Sequence, residues 1–190
     1  MDRRDLLKMI VAATGAALVG LPALASGQVP AAGAKAFSAA DIGTLDEIAE
    51  TILPRTKTPG AKDAGTGAFM AKFVSDCYTA RQQAAFHAGL ADIDKRAGGR
   101  FVSLAPEARA VLLRELDAEA RKRNVDVSST GESDASGPTP HYFTMIKQLT
   151  IFGYFTSKVG ATEALQYVAV PGRYDGDLAY VPGTPAWATG

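Results

Sequence analysis

The sequence has one cysteine, two histidines and no excess of charge of either sign. Because Cys77 is alone, no disulfide can form within the chain and a CxxCH haem attachment site is impossible. His87 and His141 lack the spacing of a metal site, so no metal is expected in this chain. Lys and Arg number 20, as do Asp and Glu, and this balance gives no reason to expect nucleic acid or an anionic membrane as a partner.

Motifs of catalysis and cofactor binding are also missing. The stretch 65–70, GTGAFM, has only the first two glycines of a dinucleotide fingerprint and follows a loop, so we interpret it as the start of a helix. No GxSxG motif is present. Cys77 lies in line with an apolar helical stripe and is expected to be buried there, and pairing with another chain is the alternative. Five carboxylates are interpreted as solvated charges on polar helix faces: Asp92, Asp94, Glu115, Asp117 and Glu119. The sequence therefore predicts no catalytic residue and no cofactor in this chain.

The first 25 residues have the three parts of an export signal. A charged start precedes the apolar run Met9–Leu24, which is shorter than the roughly 20 residues of a membrane span. Ala23 and Ala25 form a small-x-small cleavage site, so 1–25 is predicted to be a removable signal peptide. The stretch DRRDLLK fits the twin-arginine export pattern through Arg3, Arg4, Leu6 and Leu7. A general secretory signal that happens to contain two arginines is the alternative.

Removal of this leader would leave 165 of the 190 residues, which suits one domain. The leader holds three of the 20 basic and two of the 20 acidic side chains, so the mature chain would carry 17 and 18. No second long apolar run follows, and no membrane span is expected in the mature chain. The predicted location is the periplasm, with membrane association only through partners.

Helical periodicity predicts an all-α protein, a compact bundle of about five helices followed by an extended, irregular C-terminal tail. Residues 26–37 are predicted to be a linker and 38–190 a single helical domain. Ser38 and Asp41 form a capping-box pattern, and Thr66 is a candidate cap for the second helix. The predicted helices cover about 38–53, 66–78, 79–97, 106–120 and 141–157, with a short turn at 162–167.

Two stretches are predicted to be irregular. Residues 125–140 have few apolar side chains and many turn formers, and are expected to form a flexible surface loop. Residues 160–190, rich in glycine and proline, form the tail and contain residue types that dominate protein interfaces. The tail is therefore expected either to bind a partner or to be clamped to the helices, and both alternatives stay open. The candidate residues for these roles are Tyr154, Arg173, Tyr174, Asp175 and Trp187.

Two stretches together resemble a known family. ETILPRTKTPGAKDAGTGAFM, Glu50–Met70, resembles the N-terminal signature of the gluconate 2-dehydrogenase subunit 3 family, and GYFTSKVGATEALQYVAVPGRYDG, Gly153–Gly176, resembles its C-terminal signature. A twin-arginine leader is usual in that family. The loop 125–140 departs from the pattern and indicates a surface particular to this member. The matching C-terminal positions are Tyr154, Thr156, Ser157, Gly160, Gly172, Arg173, Tyr174, Asp175 and Gly176.

The resemblance implies a non-catalytic small, or gamma, subunit of a periplasmic dehydrogenase acting on sugars, polyols or sugar acids. A large partner subunit would carry FAD and perform the oxidation, and in many complexes a multi-haem cytochrome c subunit accepts the electrons. The small subunit would escort the signal-less flavoprotein through the twin-arginine translocase and stabilise it. Two other classes stay as alternatives, a free-standing periplasmic ligand-binding domain and a redox enzyme or carrier in its own right.

Overall fold

The computed structural model describes residues 36–128, 139–170, 172, 176–177, 179 and 181–188. These residues form a helical structure, as predicted, whose only strand-like pairing is an isolated bridge between Gln166 and Trp187. None of the described helices is long and apolar enough to cross a membrane. The five α-helices of this part of the chain are α1 (Ala39–Ile52), α2 (Thr66–Cys77), α3 (Ala80–Arg96), α4 (Pro106–Ser128) and α5 (Tyr142–Thr156).

Helix starts follow from local chemistry where the sequence carried a clear signal. Ser38 caps α1 in a reciprocal capping box with Asp41, which confirms the prediction. Thr79 and Gln82 form a second capping box at the start of α3. Pro106 opens α4, where its missing N–H costs nothing because first-turn N–H groups have no partner within the helix.

Three expectations about local structure were wrong. Gly65, in the left-handed conformation with φ 64°, is the N-cap of α2, whereas Thr66 is buried and donates to the Ala61 carbonyl oxygen at 2.7 Å. Helix α4 continues to Ser128, so the loop predicted at 125–140 starts later; 129–138 lie outside the described residues. A π-helical turn occupies Gly160–Ala164, earlier than the turn predicted at 162–167. Phe37, the last residue of the predicted linker, has no regular secondary structure and stacks on His87 with ring centroids 4.2 Å apart.

The core lies between the helices and is built from the apolar stripes that the periodicity indicated. Helices α1 to α4 each contribute side chains with little or no exposure, and the predicted inward residues of α3 are among them. Burial of each large apolar side chain contributes about 1.5–3 kcal/mol to stability. The largest fully buried apolar side chains are Phe86, Phe101, Leu45, Ile48, Met70, Ile93, Leu116, Ile146 and Val74.

Helix α5 packs closely against two other helices because glycines remove side chains at the crossings. At Gly89 on α3, a Cβ atom would overlap the ring of Tyr142. At Gly153 on α5, a Cβ atom would lie 2.5 Å from the Phe69 ring of α2. These close approaches place α5 against both α2 and α3, and they position the exposed side of α5 described next.

Candidate partner-binding surface

Helix α5 has a buried side and an exposed side, and the exposed side is apolar. Phe143, Ile146 and Leu149 face the core at one side of the helix. The exposed side carries three large apolar residues, which we call the outer face of α5: Ile151 (43% exposed), Phe152 (48%) and Phe155 (37%). A helix that is apolar on both sides is typical of a subunit that covers its second side with a partner.

An aromatic cluster holds the outer face in place. The ring of Phe152 lies 5.7 Å from that of Phe69 and 5.8 Å from that of Phe73, both on α2. Phe73 also meets the Tyr78 ring edge-on at 5.9 Å. Such ring pairs contribute about 0.5–1.5 kcal/mol beyond area burial. Phe152 is therefore a half-exposed aromatic with a fixed orientation, as expected of an anchor in a protein interface.

Two described parts of the C-terminal tail bond to each other. The Gln166 N–H donates to the Ala186 carbonyl oxygen at 2.8 Å, and the Ala188 N–H donates to the Gln166 carbonyl oxygen at 2.8 Å. The Gln166 side chain adds a bond from Nε2 to the Pro185 carbonyl oxygen, also 2.8 Å. These bonds form the neck of what we call the tail loop, residues 166–188. Among the described residues of this segment, the exposed large apolar side chains are Tyr167, Val168, Val170, Val181 and Trp187.

The predicted site residues are distributed unevenly. Trp187 is half exposed at the neck of the tail loop. Tyr154 is buried, and its hydroxyl donates to the Pro59 carbonyl oxygen at 2.6 Å, so its side chain anchors the loop between α1 and α2 and is not available to a partner. Nine predicted residues lie outside the described residues: Arg3, Arg4, Leu6, Leu7, Ala23, Ala25, Arg173, Tyr174 and Asp175.

Cys77 is a correction to the sequence analysis. Its thiol was expected to be buried on the apolar stripe of α2, but the residue is exposed. Cys77 is the last residue of α2, after which the chain turns at Tyr78. The helical periodicity that buries Met70 and Val74 therefore does not carry Cys77 into the core.

The loop between α1 and α2, residues 53–65, is tied to α1 by carboxylates. The Glu50 carboxylate accepts the Arg55 N–H at 2.8 Å and the Lys62 N–H at 2.9 Å. A Cβ atom at Gly60 would overlap this carboxylate, so a larger residue there would have to displace the Glu50 side chain. Asp63 accepts the Gly60 N–H at 2.8 Å and pairs with Arg55. The residues of the N-terminal signature thus have structural roles in shaping this loop.

The glycines at the start of α2 are used for packing. Asp46 Oδ1 accepts the Gly67 N–H at 2.9 Å, and a Cβ atom at Gly67 would overlap Asp46. The prediction that GTGAFM starts a helix is confirmed. Because the Gly67 N–H already bonds a carboxylate of this chain, the turn does not offer that group to a phosphate.

Most of the carboxylates interpreted as solvated charge instead tie helices together. Asp92 accepts the Tyr142 hydroxyl at 2.6 Å and Arg96 Nε at 2.8 Å, and the Tyr142 bond followed by Arg96 lowers the Asp92 pKa. Burial first, and then the bond to Asp92, raises the pKa of Tyr142. Arg96 also donates from its two terminal nitrogens to Glu119 on α4, at 2.6 and 3.0 Å. Glu119, predicted to be a solvated charge, is thus bonded to a different helix.

Further ion pairs surround α1 and α4. The Glu47 carboxylate accepts a bond from Arg109 at 2.6 Å and also pairs with Lys62. The Lys62 bond, followed by the charge of Arg109, lowers the pKa of Glu47. Asp117 accepts Lys147 Nζ at 2.6 Å, which is the main cause of its lowered pKa. The lowered pKa values of Glu47 and Asp117 are therefore caused by ion pairs within the chain.

The histidines have packing and capping roles. His141 is buried at the N-cap of α5, where its Nδ1 accepts the Phe143 N–H at 3.2 Å. Burial, followed by the positive charge of Arg123, lowers the His141 pKa. In the part of the chain that the structure describes, no three His, Cys, Asp or Glu side chains are grouped so that they could hold a metal ion.

The described part of the molecule therefore defines an all-α protein whose distinguishing feature is an exposed, preorganised apolar surface of the kind used in protein contacts. The chain belongs to the gluconate 2-dehydrogenase subunit 3 family, whose model matches residues 39–172. Membership makes it a subunit-type component of a dehydrogenase complex. Comparison with curated proteins and with solved structures gave no match.

Proposed function

We propose that this chain is the non-catalytic small subunit of a periplasmic FAD-dependent dehydrogenase acting on a sugar, polyol or sugar acid. It escorts a signal-less flavoprotein subunit through the twin-arginine pathway and stabilises it. The observation that carries the proposal is the family match over residues 39–172, behind a leader that contains Arg3 and Arg4. FAD belongs to the large subunit, and a multi-haem cytochrome c subunit completes the complex where electrons pass to the membrane.

The exposed apolar surface supports a role in assembly. Ile151, Phe152 and Phe155 lie within five consecutive residues of one helix and are each more than a third exposed. Large apolar residues grouped in this way are costly on a free monomer and are typical of subunit interfaces. We assign this outer face of α5 as the contact with the large subunit, with the exposed side chains of the tail loop as a second part of the contact.

A signal shared between two chains explains the choice of export route. The twin-arginine pathway transports folded cargo, and a flavoprotein must fold around FAD before export. A small subunit bound to the folded flavoprotein would supply Arg3 and Arg4 for both chains. The complex must therefore form in the cytoplasm, before Ala23 and Ala25 are cut.

The export experiment follows the large subunit, not this chain. The two subunits are coexpressed, Arg3 and Arg4 are both changed to Lys, and flavoprotein is quantified in periplasmic and cytoplasmic fractions. We expect periplasmic flavoprotein to fall by about tenfold or more, because a kinetic block of the pathway leaves the folded complex inside. The matched control changes two arginines outside the leader, Arg81 and Arg123, to Lys.

Three results would count against the proposal. Full export of the flavoprotein with the Lys-Lys leader would exclude the escort role. A flavin or haem absorption band in the purified small subunit alone would favour a redox carrier. A stable monomer that does not bind the coexpressed flavoprotein would favour a free-standing domain.

A further inference from the structure

A groove follows the seam between α4 and α5, beside the outer face of α5. It consists of two adjoining depressions of about 210 Å³ each, and both are lined by Asp117 and Lys147. We call this feature the α4–α5 groove. Apolar side chains provide its floor: Ile52, Ala110, Leu113, Ala120 and Phe143. Each depression is of a size that accommodates one large side chain of a bound segment.

The charged groups that line the groove are mostly cationic. Arg114, Arg121 and Lys147 line it, whereas Asp117 is the single carboxylate among the lining residues. Asp117 accepts Lys147 at 2.6 Å and Arg121 at 2.9 Å, so one carboxylate is shared by two cations. Arg114 has no ion pair or hydrogen bond with any of the described residues and is exposed. The groove therefore has an excess of two positive charges over an apolar floor.

The spacing of the cations restricts what can bind. Arg114 and Arg121 are seven residues apart on one side of α4, which corresponds to about 10 Å along the helix. A ligand that pairs with both needs two acidic groups at that separation, with an apolar group between them. The overall chain has no net charge, and the groove lacks the cluster of four or more basic residues typical of lipid-binding surfaces.

The groove is continuous with the surface assigned to the large subunit. Ile151 lines one end of the groove and also belongs to the outer face of α5. A partner that covers the outer face would therefore extend directly onto the groove. A charged rim next to an apolar centre is the usual arrangement of a protein interface.

We infer that the α4–α5 groove binds an acidic segment of the large dehydrogenase subunit, which places apolar side chains in the two depressions and carboxylates at Arg114 and Arg121. This inference rests on the proposed function, since it names a second contact of the same complex. The groove would give the interface its charge specificity, and the outer face of α5 would give it most of its buried apolar area.

The test measures the affinity of the small subunit for the FAD-loaded large subunit. The variant Arg114→Glu with Arg121→Glu places like charges against the acidic segment. We expect its Kd to rise by about tenfold or more at low salt, with a weaker dependence of Kd on salt than the unchanged protein shows. Lys122→Glu is the matched control, because Lys122 lies on the same helix and does not line the groove. Its Kd is expected to change by less than about twofold.

A second variant separates binding from folding. Arg121 pairs with Asp117, so its reversal can destabilise the small subunit. Arg114→Ala breaks no ion pair among the described residues and is expected to raise Kd by about threefold while leaving the melting temperature unchanged. If the unchanged small subunit binds the large subunit and neither variant has a higher Kd, the groove inference is wrong and the proposed function stands. If the unchanged chain does not bind the large subunit, the proposed function fails as well.

A lipid ligand is the outcome to exclude. Vesicles of phosphatidylglycerol and phosphatidylcholine are mixed with the unchanged protein and with the double variant. No binding by either protein is expected. The inference would be overturned if the unchanged protein bound the vesicles, the double variant did not, and both had the same affinity for the large subunit. That result would assign the groove to an anionic lipid.

Discussion

The loop between α1 and α2 and the outer face of α5 use their residues in opposite ways. The loop, residues 53–65, is polar and rich in glycine and proline, yet its backbone is tied down by Glu50, Asp63 and Tyr154. The outer face is apolar and sits on a regular helix, yet its side chains are exposed. Composition alone would have assigned mobility to the first region and burial to the second.

The difference shows which of the two regions has its contacts satisfied within this chain. Every carboxylate that shapes the loop has its partners in the same chain, so the loop needs nothing further to be stable. Phe152 and its neighbours have only half of their surface covered. A change in the loop should therefore act on folding, and a change in the outer face should act on assembly.

The largest expected effect comes from breaking the loop. Glu50→Ala removes the acceptor of two backbone N–H groups, those of Arg55 and Lys62. Hydrogen bonds to a charged group contribute about 1.5–3 kcal/mol each, less at an exposed site, so we expect a loss of about 2–3 kcal/mol in the free energy of unfolding. Urea unfolding of the purified small subunit measures this loss.

Glu115→Ala is the matched control for this prediction. Glu115 is an exposed glutamate on α4 with no bonding partner among the described residues, and its removal should change stability by less than about 0.5 kcal/mol. An equal loss in the two variants would mean that the Glu50 bonds do not hold the loop. The contrast between the two regions would also be lost if Glu50→Ala changed the affinity for the large subunit without lowering the free energy of unfolding.

The next effect is on assembly. Phe152→Ser removes the half-exposed ring that Phe69 and Phe73 hold in place. We expect the Kd for the large subunit to rise by about tenfold or more, since aromatic anchors dominate interface energetics. The stability of the isolated small subunit should fall by only about 1 kcal/mol, because the ring is already half in water. Titration calorimetry of the two subunits, with urea unfolding of each variant alone, separates the two quantities.

Val111→Ser controls for the loss of an exposed apolar residue elsewhere. Val111 on α4 is 50% exposed, close to the value of Phe152, but it lies outside the outer face. Its affinity for the large subunit is expected to stay within about twofold of the unchanged protein. If Val111→Ser raised the Kd as much as Phe152→Ser, the contact would not be centred on α5.

Local chemistry made much of the fold predictable. Ser38 with Asp41 and Pro106 each fixed a helix start through hydrogen bonds or backbone geometry within a few residues. Thr66 was misassigned because its hydroxyl bonds a carbonyl five residues earlier, while Gly65 takes the left-handed conformation. The extension of α4 to Ser128 runs through polar residues whose periodicity gives no apolar stripe.

The candidate surface was less predictable. The sequence of α5 is apolar on most sides, so it did not indicate that one side is buried and the other side is exposed. Long-range pairs such as Arg96 with Glu119 and Tyr142 with Asp92 join residues 23 and 50 positions apart, and no local spacing indicates them. The exposure of Cys77 depends on where α2 ends, which periodicity does not fix.

The smallest effect concerns the buried start of α5, whose pH response would contrast with its exposed outer face. Burial and Arg123 lower the pKa of His141, and the neutral ring caps the helix through Nδ1. In the unfolded chain this imidazole has the ordinary pKa of about 6.5, so on acidification the unfolded state takes up a proton first. The free energy of unfolding should therefore fall as the pH drops below about 7 and through the unfolded pKa, by less than about 1.4 kcal/mol per pH unit. His141→Asn keeps a capping acceptor but cannot titrate, and urea unfolding should show a smaller slope for it than for the unchanged protein. Equal slopes would assign the acid sensitivity to groups other than His141, and the start of α5 would then lack the proton-linked stability expected here.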